Sequence, residues 1–312
     1  MTTTITFGGY QGDKSVHTRG AQSLAAAVHR LSGGAAKIEF RQNIVADGHK
    51  ASDLLSMTES GELDGCYFSS SYLAERVPEL ALFDQHFAVP SRALAYSVLD
   101  GSLGRRLKDE VEANTGYVVM GYWDNGLRHI STRSGALRSP SDCTGLKLRT
   151  LASEDHRRVF RAIGFEPMAI DVRDLPEAVA TGRVDAQENP LTNIYNFALH
   201  KTHRHITLTG HLLGVALVLF NRPTAESWPE DIRKAVELAV QEATADQRRF
   251  AAEDDVICSQ GLRDDGVELI ELTPDERAAF AAAAKAEVDA TRSRFGPDLI
   301  GLFEDDIAQV DL

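Results

Sequence analysis

The chain has 312 residues, enough for about two domains at roughly 150 residues each. Its formal charge of −13 repels phosphate backbones and anionic membrane surfaces, which argues against a nucleic-acid or membrane-surface partner. With 25% charged and 43% hydrophobic residues the composition is that of a folded globular chain, so disorder is excluded as the main state.

The elements alternate from the start. Residues 5–7 predict a strand. Ala21, Leu24, Ala25, Val28 and Leu31 then follow helical spacing, and Gly33-Gly34 stops the helix. A second strand is expected over residues 37–40, a helix that closes near Met57, and a third strand over residues 63–68. This alternation predicts an α/β protein with largely parallel sheets.

The start of the chain has no basic stretch followed by an apolar run. Two expectations fit this: a cytoplasmic protein, or one from which a signal peptide has been removed. The longest apolar run, residues 212–220, is far shorter than the ~20 residues that span a bilayer. Cys66, Cys143 and Cys258 contain no CxxC pair, so they read as small buried hydrophobes rather than as disulfides or zinc ligands.

One pattern repeats. Asp53-Leu54 opens a helix that runs to Ser60-Gly61 and a strand; Asp174-Leu175 opens another that runs to Thr181-Gly182 and a strand. Each Asp is expected to cap its helix and each Gly to end it in the left-handed conformation. Chance recurrence in an α/β chain is one account; two similar lobes facing across a cleft is the other. Further on, the pattern is helical from about residue 227 to residue 257, and once Pro229 has opened the first turn it predicts a helix of about 28 residues, about 42 Å long and longer than one lobe. Thr273, Pro274 and Glu276 form the start of a last helix, with a capping box.

Signatures of catalysis are missing: the sequence holds no HExxH, GxSxG, GxxxxGK[ST] or complete GxGxxG. His200, His203 and His205 have a ligand-like spacing, but Lys201 and Arg204 among them repel a cation, so a solvated helix end is expected and no metal. Residues 8–12 read as a tight strand-to-helix turn, and residues 122–126 as a turn between two strands with Arg128 beyond it. Ser69-Ser70-Ser71-Tyr72 follows the third strand; a plain loop and a polar ligand contact are both open.

Arg149 closes the strand candidate over residues 146–149. Ligands of open α/β sheets bind at the carboxyl ends of strands, and a guanidinium fork matches a carboxylate. A surface arginine paired with a nearby glutamate has the same spacing. Asn189 precedes Pro190, which predicts Asn189 as the N-cap of a helix whose N-terminus favours anions.

Residues 145–149 (GLKLR), 180–191 (ATGRVDAQENPL) and 208–211 (LTGH) resemble the solute-binding proteins of tripartite ATP-independent periplasmic (TRAP) transporters. Residues 122–128, with an N-G-x-R, fit as well, and the resemblance runs over essentially the whole chain. It implies a bilobal periplasmic-binding-protein fold (type II-like), two α/β lobes with a long helix crossing both. Expected boundaries are 1–124 plus about 213–250 for lobe I and 125–212 plus about 251–312 for lobe II, with a ligand cleft between them. It implies a periplasmic carrier, a monomer without cofactor or metal, that closes on a small organic acid and delivers it to membrane subunits.

The family's carboxylate-pairing arginine falls on Arg149, a second arginine contact on Arg128, and the asparagine contact on Asn189. First-lobe contacts fall on Tyr10, Ser69 and Tyr72. The sialic-acid-binding members carry an acid and an arginine where this chain has Ser69 and Tyr72, so a neutral, hydroxylated or partly aromatic acid fits better than an amino sugar. The alternative is an enzyme on the same scaffold, for which Glu188, Asp171 and His17 are the only acid/base candidates. A sensory module is a third reading, without a visible output segment.

Overall fold

The computed structural model describes residues 2–89 and 91–309. In chain order come β1 (Thr3–Gly8), α1 (Val16–Leu31), β2 (Ala36–Arg41), α2 (Asp53–Ser60) and β3 (Gly65–Ser69). Two 3-10 turns, Ser70–Leu73 and Pro78–Leu82, lead to α3 (Arg92–Asp100), α4 (Ser102–Asn114) and the long β4 (Tyr117–Thr132). Then follow β5 (Lys147–Thr150), α5 (Glu154–Ile163), β6 (Glu166–Ala169), α6 (Leu175–Ala180), β7 (Ala186–Pro190) and α7 (Leu191–Asn196). A second long strand, β8 (His205–Asn221), precedes α8 (Arg222–Ser227), α9 (Glu230–Asp264), β9 (Glu268–Ile270), α10 (Pro274–Arg292) and α11 (Pro297–Ala308).

The chain divides into two units. Unit 1 is Met1–Ser70, Leu107–Asn125 and Val215–Asp254; unit 2 is Ser71–Arg106, Gly126–Gly214 and Asp255–Leu312. The segment 71–106 therefore groups with unit 2, not with the first lobe as the sequence suggests. Its anchors are remote in sequence. Asp306 is buried and accepts from the backbone N–H groups of Ser102 (2.9 Å) and Leu103 (2.8 Å), capping α4, and Arg92 pairs with Asp255 at 2.7 Å.

In unit 1, β1 lies parallel to β2 and β3, and β3 runs antiparallel to the last part of β8, with Gly65 opposite Phe220 and Ser69 opposite Ala216. Helix α1 buries Ala21, Leu24 and Val28, at the spacing expected of one helix face. They pack with Ile5, Phe7, Tyr67, Trp123, Val218, Phe220, Val236 and Val240 into one core. In unit 2, β5 is parallel to β6 and β7, and β7 is antiparallel to β4. Ile130, Leu148, Phe160, Ala186 and Phe280 form one of its cores.

Four local expectations change. The turn over residues 122–126 is instead uninterrupted strand within β4. Gln247 of α9 explains why: its amide accepts from Asp124 N–H (2.8 Å) and donates to Asp124 C=O (2.7 Å), serving as a strand partner. Neither Asp of the repeated pattern caps a helix with its side chain, for Asp53 is already helical and Asp174 bonds Arg173 instead. The glycines behave as expected, Gly61 at φ 81° and Gly182 at φ 74°. The long helix α9 begins and ends later than expected and has 35 residues, about 52 Å at ~1.5 Å per residue. It runs from unit 1 into unit 2 near Asp254, and α10 starts with the expected capping box from Thr273 and Glu276.

Candidate functional site

The pairing of β4 with β7 sets Arg128 opposite Pro190 and Ile130 opposite Glu188. Opposed residues share a face, so Arg128 reaches Glu188 across the ladder. Its Nε donates to Glu188 Oε2, and its terminal NH2 group donates to Oε1 at 3.0 Å and to the Glu188 carbonyl at 2.9 Å. Thr150, brought alongside by the β5–β7 register, donates to Oε1 at 3.1 Å. Both members of the pair are sealed from solvent. Burial works to raise the Glu188 carboxyl, but the charge and hydrogen bonds of Arg128 overcome it and hold the group well below its ordinary range.

Close approach of the strands at this point depends on Gly126, at φ 86°. A Cβ there would lie 2.6 Å from Pro190 Cγ. Behind Glu188 stands His211, with Nε2 at 3.6 Å from Oε2 and Nδ1 at 2.7 Å from Thr209 Oγ1. Burial lowers the basicity of His211 and Glu188 opposes that effect.

Arg149 is different. It is the third residue of β5, only 1% exposed, and its Nε donates to the Ile170 carbonyl at 2.9 Å. Among the described residues it has no carboxylate within 4.0 Å and no second hydrogen bond. Burial pulls its pKa down; Tyr72, Glu188 and Asp171 exert weaker, opposite influences. Asp171 is half-buried and its Oδ1 accepts from the Arg173 N–H at 3.0 Å. Tyr72, in the first 3-10 turn, is raised by burial, with Arg149 the main opposing charge.

Asn189 is the penultimate residue of β7 and not an N-cap. Pro190 caps α7 without a side-chain bond, because strand geometry persists through it. The Asn189 amide is fixed instead by neighbours: Nδ2 donates to Gln187 Oε1 (2.6 Å), and Oδ1 accepts from Asn193 (3.2 Å) and Arg128 (3.4 Å). Gln187 in turn donates to Ser131 (2.6 Å), which contacts His203 Nδ1 (3.0 Å).

Unit 2 thus brings together Arg128, Arg149, Asn189 and Tyr72, together with Glu188, Thr150 and His211. Sequence reasoning considered Glu188 only as an enzymatic acid and passed over Thr150, His211 and Gln187. Unit 1 holds Tyr10, whose ring meets Tyr67 (5.5 Å) and Phe68 (5.3 Å), and Ser69, the buried last residue of β3. His17 is also in unit 1, stacked on Tyr67 at 4.9 Å.

The three-histidine cluster is no solvated helix end. His200 and His203 are buried, and the three rings face separate partners: Asp265 (3.0 Å), Ser131 and Glu268 (2.9 Å). Among the described residues no group of His, Cys, Asp and Glu could hold a metal ion, and no helix is long and apolar enough to cross a membrane. Cys66, Cys143 and Cys258 are buried thiols outside any disulfide.

The family of bacterial extracellular solute-binding proteins, family 7, matches residues 7–294. An uncharacterized protein of Sinorhizobium fredii is 31% identical over 296 residues, 94% of this chain and 53% of that one; the chain spans about half of that relative's length. The 2,3-diketo-L-gulonate-binding periplasmic protein of Escherichia coli is 29% identical over 238 residues, 76% of this chain and 72% of that one. The solved structure of a TRAP periplasmic solute-binding protein from Sulfurospirillum deleyianum, with bound succinate, superposes with a TM-score of 0.89 at 28% identity, covering 100% of both chains.

Proposed function

Because the chain belongs to the bacterial extracellular solute-binding proteins of family 7, we propose that it captures a small organic carboxylate on Arg149 and delivers it to the membrane subunits of a TRAP transporter. The observation that carries this reading is the guanidinium of Arg149, buried without an acid of its own. A buried cation lacking a counter-charge costs several kcal/mol, and a ligand carboxylate on its two terminal amino groups offsets that cost with a planar, bidentate match. Two of the relatives, a 2,3-diketo-L-gulonate-binding protein and a succinate-bound structure, have organic acids as their named ligands.

Arg128 has its charge offset by Glu188, so its task is to hold Asn189 and shape the surroundings of the guest. Asn189 and Tyr72 are the further ligand contacts proposed in unit 2; Tyr10 and Ser69 remain ligand contacts proposed from the family resemblance alone. Exclusion of water strengthens the ion pair. The overall charge of −13 opposes capture at long range, but it is screened beyond ~8 Å in physiological salt. The protein acts as a periplasmic monomer without covalent chemistry. Glu188 is no general acid here, for Arg128 keeps it ionised.

A thermal-shift screen over organic acids tests the reading, since a ligand specific to the native state raises Tm. At least one acid is expected to raise Tm for the wild type and not for Arg149→Ala. Equal shifts in both proteins would contradict it.

A further inference from the structure

Strands β5, β6 and β7 of unit 2 run parallel, and the carboxyl ends of such strands are where α/β sheets receive ligands. Arg149 stands in register with Met168 of β6, yet its Nε donates to the carbonyl of Ile170, two residues nearer that end. At ~3.3 Å per residue the side chain therefore climbs about 6–7 Å along the sheet. The guanidinium is held at the level of Ile170, and Asp171 is the next residue of the chain.

Asp171 is half-buried, and its Oδ1 accepts from the Arg173 N–H at 3.0 Å, which fixes the carboxylate in the turn. Among the described residues its Oδ2 takes no hydrogen bond, and no cationic nitrogen lies within 4.0 Å of either oxygen. It is near enough to act electrostatically on both Arg149 and Tyr72. One strand end of unit 2 thus holds a buried cation without an acid and, beside it, an acid without a cation. Each is tethered to its own piece of backbone, Arg149 to Ile170 and Asp171 to Arg173, so the two do not close on each other.

A guest carboxylate on the terminal amino groups of Arg149 lies alongside Asp171. The first substituent it presents there is the one on its second carbon. An ionised carboxylate such as Asp171 only accepts hydrogen bonds. A plain methylene gives Oδ2 nothing, and a ketone oxygen sets one acceptor against another. A hydroxyl or an ammonium donates to it, and bonds of that kind to an ionised acceptor are the strong ones.

We propose that Asp171 selects carboxylates that carry a hydrogen-bond donor, hydroxyl or ammonium, on the carbon next to the carboxyl group. This rests on the reading of Arg149 as the carboxylate anchor. Asp171 is then a specificity determinant, and 2-oxo and 2-unsubstituted acids are the disfavoured guests.

Titration calorimetry with three matched series tests it: lactate, alanine, pyruvate and propanoate; 2-hydroxyglutarate, glutamate, 2-oxoglutarate and glutarate; gluconate, glucosaminate and 2-deoxygluconate. In every series that binds, the hydroxy or the amino member is expected to bind at least about tenfold more tightly than the members without a donor at that carbon. Either of the two in first place supports the proposal and tells which donor the guest carries. Asp171→Asn keeps an oxygen for the Arg173 N–H and replaces the free acceptor by an amide that also donates. In this variant the margin over the 2-oxo member should shrink to about threefold or less, and the amino member should lose more affinity than the hydroxy member; a purely structural role for Asp171 would weaken all members alike. A 2-oxo or unsubstituted acid that binds as tightly as its donor-bearing counterpart and is lost in Arg149→Ala, or a ranking unchanged in folded Asp171→Asn, overturns the role of Asp171 and leaves the anchor standing. Binding that survives Arg149→Ala, or no binding by any of these acids, overturns the anchor itself.

Discussion

Arg128 donates to both carboxylate oxygens of Glu188, sixty positions along the chain, and neither side chain reaches solvent. One buried charge pair is thereby closed on itself a few strand positions from a guanidinium that has no such partner. The contrast between Arg128 and Arg149 defines which arginine is committed to the fold and which is available to a guest.

Removing the acid of the closed pair is expected to be severe. Glu188→Gln leaves Arg128 buried beside a neutral amide, and breaking a buried pair costs about 3–5 kcal/mol. Thermal or urea denaturation of the ligand-free protein should show a loss of that order. A change below about 1 kcal/mol would mean that the pair is not sealed.

Acid should destabilise the protein before its carboxylates titrate. Burial lowers His17 and His203 to about 4 and His129 to about 3. In the unfolded chain each binds a proton below about pH 6.5; in the folded one, not until about pH 4 or below. Acidification through that window favours the unfolded state, so their contribution is complete above about pH 6.5 and falls as pH drops toward 4. The total loss is of order several kcal/mol, readable as a falling Tm from pH 7 to pH 4. The depressed Glu188 carboxyl adds to the loss only below about pH 4.3. A flat Tm profile between pH 6.5 and 4.5 would contradict the neutral burial of these rings.

Gly126→Ala should couple stability to the site. The left-handed φ of 86° costs a side chain about 1–2 kcal/mol, and the added methyl meets Pro190 at the end of β7. Loss of stability by at least ~1 kcal/mol, together with weaker acid binding, is the expected result of denaturation and calorimetry. Wild-type stability in this variant would show that the strands can part without consequence.

The alternation of strands and helices, and Arg149 at the end of a short strand, were legible because they depend on neighbours in sequence. The same holds for the left-handed glycines at 61 and 182. What escaped depends on distant register. Glu188 belongs to Arg128 only once β4 and β7 are paired antiparallel in one particular alignment. Asn189 looked like a helix cap because Pro190 suits a helix start, yet ladder pairing with His129 and Arg128 keeps both residues in the strand. The segment 71–106 joined the wrong lobe because Asp306, about two hundred positions later, fixes the start of α4. Nothing local to residues 122–126 announces Gln247 as the partner that carries β4 straight through.

The most direct measurement is the affinity of Arg149→Ala for an acid that stabilises the wild type, with the melting temperature of both ligand-free proteins recorded alongside. The account predicts a loss of at least ~2 kcal/mol in binding, about thirtyfold in Kd, from an unpaired ligand carboxylate. The ligand-free Tm should be unchanged or higher, because the substitution removes a buried uncompensated charge. An unchanged affinity in a folded variant would contradict it.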